Sequence, residues 1–422
     1  MKMKSRLLPR QLIPLLLIIF IDTLAWFIVI PVLLRLFIND EGHFILVSTS
    51  VATRNIYYAI AAMLAPAAFM LAAPIIGHIS DKIGRKRAFS FCLIMALIGF
   101  CLPIAGLHCH MLLLLFIGRF IAGFSTASQP IAQAAIADIA LGKQKAFYMS
   151  LIACAMTLAM VLGPILGSYT SDSNLISWFS LATPYWIGVI LAVLNLILLW
   201  WFYENPSQSF HQNQANNVWQ HCRKLLRLII QYKMAGLMLL LLFMEMGWAE
   251  YYQSIFLILQ HHFLYTPDRI GLFTGYIGLW MSLGLTVIYK YLLRWLSVER
   301  IFYISVIIAA VGLFGCNFLS NVLWQWIFVV PVSIFVGTAY PSIIAVMSNL
   351  APEEHQGWVL GLASTALAAA WMLTGFLVGY LMNAYVGMPI FISMLSMLCA
   401  LVATPFLLWR SRVPRVSQNL LH

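Results

Sequence analysis

Charged residues are scarce in this chain: Asp, Glu, Lys and Arg make up 9% of its 422 residues, while 63% are hydrophobic. Its mean hydropathy is +0.92, whereas in an ordinary soluble domain about a quarter of the residues are charged. So much apolar surface cannot be buried in one water-soluble core. The composition therefore indicates that lipid is the solvent for most of the chain.

Paired cysteines and nucleotide motifs are also missing. The seven cysteines are scattered and no Cys-x-x-Cys occurs, which argues against a disulfide framework. The chain has no phosphate-binding loop, no Gly-x-Gly-x-x-Gly and no His-Glu-x-x-His, so nothing indicates ATP hydrolysis, dinucleotide binding or zinc proteolysis. We therefore expect no cofactor, no metal and no enzymatic activity.

Twelve apolar runs follow one another, each about as long as the ~20 residues that cross a bilayer as a helix. They lack the alternation of a membrane barrel, so helices are the structure that satisfies their backbone groups. The sequence therefore predicts an all-α membrane protein with twelve transmembrane helices. The expected spans are 12–36, 52–77, 87–107, 110–136, 146–169, 184–203, 235–259, 269–292, 300–320, 323–348, 357–382 and 387–409.

Lys and Arg concentrate in alternate segments between these runs. One set of alternate segments holds 20 of the 24 Lys and Arg: the N-terminal segment, the loop at 82–87, Lys143 and Lys145, the stretch at 223–233, Lys290, Arg294 and Arg300, and the C-terminal tail. The other set holds only Arg35, Arg54 and Arg269. Basic loops stay on the cytoplasmic side of a membrane. Both termini are therefore predicted to be cytoplasmic, and the net charge of +11 reflects topology and gives no reason to expect nucleic acid as a partner.

The longest polar break, residues 204–234, divides the chain into residues 1–203 and 235–422, each with six runs. It begins rich in Asn, Gln and Ser and becomes a basic amphipathic stretch, which we expect to lie as a helix along the inner membrane face. The two parts are also similar in sequence, at a nearly constant offset. In the fifth and eleventh runs, Gln144, Gly163 and Gly167 fall on Gln356, Gly375 and Gly379. Two six-helix halves with a site between them at mid-membrane are typical of a transporter.

The densest charge in the chain lies between the second and third runs, in GHISDKIGRKR at 77–87. Membrane topology accounts for its positive charges. It does not account for Gly77, which can let helices approach closely, or Gly84, which permits a tight turn. Nor does it account for Asp81, which is placed at the inner rim, where a carboxylate can face an Arg or a helix N-terminus.

This stretch resembles the loop 2–3 signature of the major facilitator superfamily, Gly-x3-Asp-Arg/Lys-x-Gly-Arg-Arg/Lys. The resemblance implies a fold of two pseudo-symmetric six-helix bundles, with a loop that latches the halves on the inside and is released during transport. Asp138 and Glu353, also at the inner rim, are expected to belong to this cytoplasmic gate. The residues that match the signature are Gly77, Asp81, Lys82, Gly84, Arg85 and Lys86.

Other stretches extend the resemblance. GRFIAGFSTASQP is similar to the span 4 motif through Arg119 and Gly123, and AMVLGPILGS is similar to the span 5 motif of drug:proton antiporters through Gly163, Pro164 and Gly167. FIDTLAWFIVIPVL and AAIADIALGKQKAF resemble the tetracycline-exporter branch. The resemblance implies a multi-pass protein of the bacterial inner membrane. We expect a monomer whose partners are a small-molecule substrate, protons and the lipid bilayer.

Three ionisable residues lie within predicted spans. At a rise of ~1.5 Å per residue, Asp22, Arg119 and Glu245 each fall roughly 15 Å deep, near the middle of a core ~30 Å thick. Such residues mark ion and substrate pathways. The resemblance implies that spans 1, 4, 7 and 10 line the cavity, so all three are expected to face one aqueous pocket and to couple proton movement. Asp22 is the first choice for the proton carrier, and a fixed ion pair with Arg119 is the alternative.

A substrate site is expected on the seventh span. Glu245, Trp248 and Tyr252 share a helix face, and a carboxylate beside two aromatic rings suits a lipophilic cation. Aromatic packing around a second proton site is the alternative. Glu250 is expected at the outer rim. The other candidates for substrate contact are Trp26, Gln129, Gln133 and Tyr340.

These observations favour a secondary active transporter that exports small organic molecules, drugs or metabolites, in exchange for protons by alternating access. One alternative is a proton-coupled importer of a nutrient or siderophore. Another is a membrane receptor or scaffold that transports nothing. The ionisable residues within the spans argue against the scaffold, because inert helices rarely keep such groups.

Overall fold

The structure is a computed structural model, and it describes residues 9–38, 49–139, 142–203, 234–350 and 356–411. Within these residues, 12 helices are long and apolar enough to cross a membrane, which confirms the predicted number of spans. The predicted linker residues 204–233 lie outside the described residues. The helices are α1 (Pro9–Ile28 and Ile30–Phe37), α2 (Val51–Ile83), α3 (Arg85–Cys109), α4 (Leu112–Ser125 and Ser128–Ile139), α5 (Gly142–Thr170), α6 (Thr183–Phe202), α7 (Met234–His261), α8 (Pro267–Leu283, Gly284–Ile288 and Tyr289–Leu292), α9 (Val298–Cys316), α10 (Leu323–Leu350), α11 (Gln356–Ala384) and α12 (Met388–Ser411).

Three of these helices are interrupted inside the membrane. The break in α1 falls at Val29, just before Pro31, which has no backbone N–H to donate. In α4 the break falls at Thr126, whose hydroxyl donates to the carbonyl of Gly123 at 2.6 Å. The helix α8 contains one π-helical turn, Gly284–Ile288. The breaks in α1 and α4 are tolerated at membrane depth because Val29 and Thr126 are buried in protein, whereas only Gly284 of the π-helical turn is buried.

The turn between α2 and α3 consists of Gly84 alone. Its φ of 92° lies in a region that side chains other than glycine rarely adopt. The predicted tight turn is therefore present, and it ends α2 and starts α3 within one residue.

The two halves pack their helices in equivalent ways. In the first half, α1 lies against α5 and α6, α3 lies against α4 and α6, and α2 lies against α4. In the second half, α7 lies against α11 and α12, α9 lies against α10 and α12, and α8 lies against α10. The first set becomes the second when six is added to each helix number. The predicted pair of pseudo-symmetric six-helix bundles is confirmed.

The halves meet along two helix pairs, α2 with α11 and α5 with α8. Glycines allow these backbones to approach closely. A Cβ at Gly375 of α11 would lie 3.0 Å from Met63 Cα, and a Cβ at Gly271 of α8 would lie 2.7 Å from Ser168 Oγ. Gly375 and Gly379 of α11 therefore have the close-packing role that small residues have in membrane helices.

The two ends of this interface differ. We call the end of the bundle that holds Pro9, Gly84 and Ser411 the terminal face, and the opposite end, which holds Phe37 and His261, the far face. The helices α2 and α11 stay in contact from the far face, where Asn55 Nδ2 donates to Asn383 Oδ1 at 2.9 Å, down to the buried Ala73 and Ala368. The far face is closed by direct contact between the halves.

Nearer the terminal face the same two helices part. A Cβ placed at Gly77 of α2 or at Gly361 of α11 would meet no described atom within 4 Å. The expectation that Gly77 lets two helices approach closely is wrong for this conformation, because its neighbours have moved apart at that level.

Candidate functional site

A narrow cavity lies between the two halves, nearer the far face than the terminal face. Its walls come from α1, α2 and α4 of the first half and from α7 and α11 of the second. They combine aromatic rings, aliphatic groups, one amide and one cation. The lining residues are Trp26, Ile30, Leu33, Tyr58, Ala62, Pro66, Arg119, Gln253, Phe256 and Trp371.

Arg119 supplies the charge of this cavity. Only 5% of the residue is exposed, and its Nε donates to the backbone carbonyl of Ala61 at 3.2 Å. Its Cζ lies 5.6 Å from the ring centroid of Trp26, which is the geometry of a cation–π contact. Arg119 and Trp26 thus meet at a cavity between the halves.

Asp22 lies one helical turn from Trp26 on α1, toward the terminal face, and is not a lining residue. It is 5% exposed, and the hydroxyl of Ser128 donates to its Oδ2. Among the residues that the structure describes, Asp22 forms no ion pair with Arg119. The alternative of a fixed Asp22–Arg119 pair is therefore wrong in this conformation. Its place is taken by a carboxylate–hydroxyl bond that joins α1 to α4.

Glu245 occupies the corresponding place in the second half. It is 3% exposed and lies beside Trp371, which acts as a hydrogen-bond donor to its carboxyl group. Tyr340 of α10 is close enough for its hydroxyl to interact electrostatically with Glu245. Like Asp22, Glu245 does not line the cavity, and of the three ionisable residues expected to face one pocket only Arg119 does so here.

The aromatic residues that follow Glu245 on α7 are packed. Trp248 is 2% exposed and Tyr252 is fully buried, with 5.5 Å between their ring centroids. Tyr252 also contacts Phe27 of α1 and Trp371 of α11, with ring centroids 5.8 Å away in each case. Neither residue lines the cavity, so the observed arrangement corresponds to the packing alternative and not to an open box for a cation.

The remaining sequence candidates lie at the edge of the site or outside it. Gln129 and Gln133 are partly buried on α4 and do not line the cavity. Two polar lining residues, Tyr58 and Gln253, were missed. They are linked to each other, since the Tyr58 hydroxyl donates to the Gln253 backbone carbonyl at 3.4 Å. The sequence signal for Gln253 was its position, two turns beyond Glu245 in an otherwise apolar helix.

Glu250 is not at the rim where the sequence placed it. It is fully buried, and neither carboxylate oxygen has a hydrogen-bond partner among the described residues. Its position two residues from Trp248 and Tyr252 turns it away from the face that those rings share.

The sequence that forms these twelve helices matches a known family. The family model of the Major Facilitator Superfamily matches residues 15–375, which is most of the chain. The chain belongs to the major facilitator superfamily. It is therefore a multi-pass membrane transporter, which binds its small-molecule substrate within the membrane, and not an enzyme.

Several superfamily relatives are resistance transporters. The tetracycline resistance protein, class B, of Escherichia coli is 23% identical over 84% of this chain and 83% of its own. Multidrug resistance protein 2 of Bacillus subtilis is 24% identical over 81% of this chain and 84% of its own. The class C tetracycline resistance protein of Escherichia coli is 30% identical, but that alignment covers 42% of this chain and 41% of the relative.

Solved superfamily structures share the fold. The D-xylose–proton symporter has a TM-score of 0.70 at 14% identity and covers 94% of this chain and 97% of its own. The human organic anion transporter MFSD10 has a TM-score of 0.67 at 15% identity, with 94% and 99% covered. At such low identity the likeness establishes the fold only.

The superfamily signature at 77–87 is partly anchored within its own half. Lys86 Nζ donates to the carbonyl of Trp200 at 3.0 Å and lies 5.2 Å from the centroid of its ring, near the end of α6. Arg85 Nη1 donates to Ser80 Oγ at 2.5 Å. Glu353 lies outside the described residues, as do the side chains of Asp81, Lys82 and Asp138.

The span 5 motif packs inside the first half as well. A Cβ at Gly163 would lie 2.6 Å from Phe27 Cβ, and Gly167 lies directly against the backbone of Ile28. Pro164, between them, is buried within α5. The motif therefore positions α5 against α1, the helix that carries Asp22 and Trp26.

A cluster of charges at the far face was not expected from the sequence. Arg35 Nη2 lies 3.2 Å from Asp172 Oδ2 in its own half and 3.7 Å from Asp268 Oδ1 of α8 in the other half. It also donates to the carbonyl of Ser168 at 3.4 Å. We call Arg35, Asp172 and Asp268 the far-face cluster. It is an electrostatic link between the halves at their closed end.

Proposed function

We propose that this transporter exports small organic molecules, drugs or metabolites, in exchange for protons by alternating access. The observation that carries the proposal is a pair of buried carboxyl groups, Asp22 and Glu245, at similar depth on the equivalent helices α1 and α7. They belong to opposite halves, and each lies toward the terminal face from the cavity-lining residues of its own helix. Carboxyl groups buried in membrane proteins serve as proton relays in transporters.

Each carboxyl group has a partner that can report its protonation state to the rest of the protein. Ser128 begins the second segment of α4, so a change at Asp22 acts on the break in that helix. Trp371 lines the cavity, so a change at Glu245 acts on the cavity wall. Arg119 is the third proton-coupling candidate. In this scheme it keeps its positive charge while the two carboxyl groups gain and lose protons. A proton and a substrate therefore have contacts through which each can alter the site of the other.

The proposal takes the terminal face as cytoplasmic, because the sequence segments that adjoin it are rich in Lys and Arg. It places the protein in a bacterial inner membrane, because several relatives are bacterial. On that orientation the structure corresponds to the state open toward the cytoplasm. We propose residues 1–203 and 235–422 as the moving units, joined by residues 204–234, in a monomer. The signature at 77–87, with Asp138 and Glu353, would then close the terminal face in the opposite state.

Everted membrane vesicles test this proposal. In everted vesicles an imposed acidic interior should drive accumulation of an exported compound, measured with tetracycline and a quinolone as first probes and then with a metabolite panel. Asp22→Asn and Glu245→Gln should each remove the part of the uptake that depends on the pH gradient. Glu299→Gln, a matched change at the terminal-face end of α9, should leave it intact.

Other outcomes would overturn the proposal. Accumulation in right-side-out vesicles, driven by external acid, would identify an importer. Flux of no compound in either orientation, together with recovery of a stable partner protein, would identify a receptor or scaffold. If flux driven by the pH gradient is unchanged in both carboxyl variants, the two assigned proton sites are rejected.

A further inference from the structure

Within the part of the chain that the structure describes, Arg119 is a buried cation without a counter-ion. The ion pairs found among the described residues involve Arg35, and none reaches Arg119. The neighbours that interact electrostatically with it are the hydroxyl groups of Tyr58 and Tyr185, which are neutral. An unpaired charge in a low-dielectric site is costly unless something compensates for it.

The guanidinium group is also only partly used for hydrogen bonding. Its Nε is occupied by the carbonyl of Ala61, and its face is covered by the ring of Trp26. The two terminal nitrogens, Nη1 and Nη2, find no acceptor among the described residues. They form the planar fork that donates to both oxygens of a carboxylate.

We propose that the transported substrate is an organic carboxylate, and that its two oxygens bind the terminal nitrogens of Arg119. The carboxylate supplies the missing counter-ion and the missing hydrogen-bond acceptors in one group. Because Nε is held by α2 and the arginine belongs to α4, the fork has a fixed direction within the cavity. A substrate bound there fills a site that the protein alone leaves unsatisfied.

The other lining residues indicate the chemical character of the rest of this substrate. Trp26, Tyr58, Phe256 and Trp371 present aromatic surface from both halves. Such walls suit a flat apolar group, which gains contact area without needing further hydrogen bonds. The cavity is about 20 Å³ in this conformation, so its walls must part to admit that group. The lipophilic cation expected from Glu245, Trp248 and Tyr252 does not suit this cavity, since the charge that lines it is positive.

This inference rests on the proposed function only for its direction. A cell interior is electrically negative, so the membrane potential favours outward movement of an anion. The binding site itself exists whether flux is outward or inward. Direct binding can therefore fail or succeed independently of the vesicle experiment.

Binding to the purified transporter in nanodiscs tests the inference. The probes are 2-naphthoate, 2-naphthamide and 2-naphthylmethylammonium, which share one ring system and differ in charge, with affinities measured by isothermal titration calorimetry. We expect the carboxylate to bind at least about 10-fold more tightly than the neutral amide, as a charge-assisted bond replaces a neutral one. We expect the ammonium compound to bind most weakly. Equal affinities, or tightest binding of the ammonium compound, would overturn the inference.

Variants then locate the site. Arg119→Gln should abolish the preference for carboxylate over amide, and Arg119→Lys should keep a reduced preference, because an ammonium group retains the charge without the fork. Arg54→Gln, which removes a far-face arginine outside the cavity lining, should bind like the unmodified protein. A carboxylate preference that persists in folded Arg119→Gln would reject the site. If that variant does not fold, the comparison of the three probes on the unmodified protein still decides the substrate class.

Discussion

At the scale of single residues, buried polar groups in the transmembrane helices fall into two kinds. Asp22, Glu245 and Arg119 are each contacted by a neutral partner: a hydroxyl, an indole and a backbone carbonyl. A neutral partner restrains a side chain without fixing its charge, as an ion pair would. Glu250 is different, because its two oxygens have no partner among the described residues.

Replacing Glu250 should therefore stabilise the fold. Glu250→Met keeps a chain of similar length and removes a buried polar group that has no hydrogen bond, a group that costs about 1–3 kcal/mol. We expect the free energy of unfolding to rise by about 1–2 kcal/mol, measured by thermal unfolding in nanodiscs, with transport unchanged.

The same exchange at Glu245 is the matched control. Glu245→Met should stop pH-driven transport, because Glu245 is an assigned proton site. Loss of transport in a folded Glu250→Met variant, with or without a gain in stability, would mean that this carboxyl group takes part in the transport cycle.

At the scale of helices, glycine spacing decides where the two halves touch. Gly375 and Gly361 lie on the same helix, α11, and differ in what surrounds them. A Cβ at Gly375 would lie 2.9 Å from Gln253 Oε1 and 3.0 Å from Met63 Cα, whereas one at Gly361 would meet no described atom within 4 Å. The pair separates the effect of contact between the halves from the effect of glycine on helix stability.

Alanine at these two positions should act in opposite directions. Gly375→Ala overpacks the α2–α11 contact and should lower the free energy of unfolding by about 1–3 kcal/mol. Gly361→Ala should raise it by up to about 1 kcal/mol, since alanine is the better helix former. Thermal unfolding in nanodiscs measures both. Equal effects of the two substitutions would show that α2 and α11 are not in closer contact at Gly375 than at Gly361.

The helices were predictable from the sequence, and most of their contacts were not. Apolar runs and basic loops indicated twelve spans, because both follow from the solvent that surrounds the chain. The depth of Asp22 and Glu245 followed from helical rise alone. Which way a side chain turns, however, depends on neighbours far apart in sequence. The sequence therefore could not reveal that Tyr58 and Gln253 line the cavity, or that Trp248 and Tyr252 are packed. Gly77 illustrates a different limit, since its contacts depend on which face of the transporter is open.

At the scale of the whole molecule, the far face is closed by polar contacts between the halves as well as by apolar packing. Arg35 joins Asp172 of its own half to Asp268 of the other, and Asn55 bonds Asn383 across the second helix pair. Opening the far face requires these contacts to break. The far-face cluster therefore biases the protein toward the state in which the terminal face is open.

Asp172 of this cluster should keep its negative charge across ordinary pH. Partial burial raises the pKa of Asp172, but the backbone N–H of Asn174 and the guanidinium of Arg35 outweigh it and hold that pKa below its usual value. A carboxyl group whose pKa is lowered in the closed state stabilises that state above its ordinary pKa of about 4, and loses this effect only as the pH falls through the lowered value. Between pH 5 and 9 Asp172 should therefore keep its bond to Arg35.

Removing the cation should shift the balance between the two states. We expect Arg35→Gln to increase the far-face-open population by about fivefold, the effect of roughly 1 kcal/mol, because Asp268 is partly exposed and its attraction is screened by water. Spin labels at Leu175→Cys and Leu264→Cys, exposed far-face sites in opposite halves, would report the distance after the exposed native cysteines are replaced by serine. Arg269→Gln, which removes the neighbouring cation that contacts Tyr265 of its own half, should leave the distances unchanged. The shift caused by Arg35→Gln should also be the same at pH 5 and pH 9. A shift that appears only at one of these pH values would mean that the far-face cluster titrates within this range and that it senses the proton gradient itself.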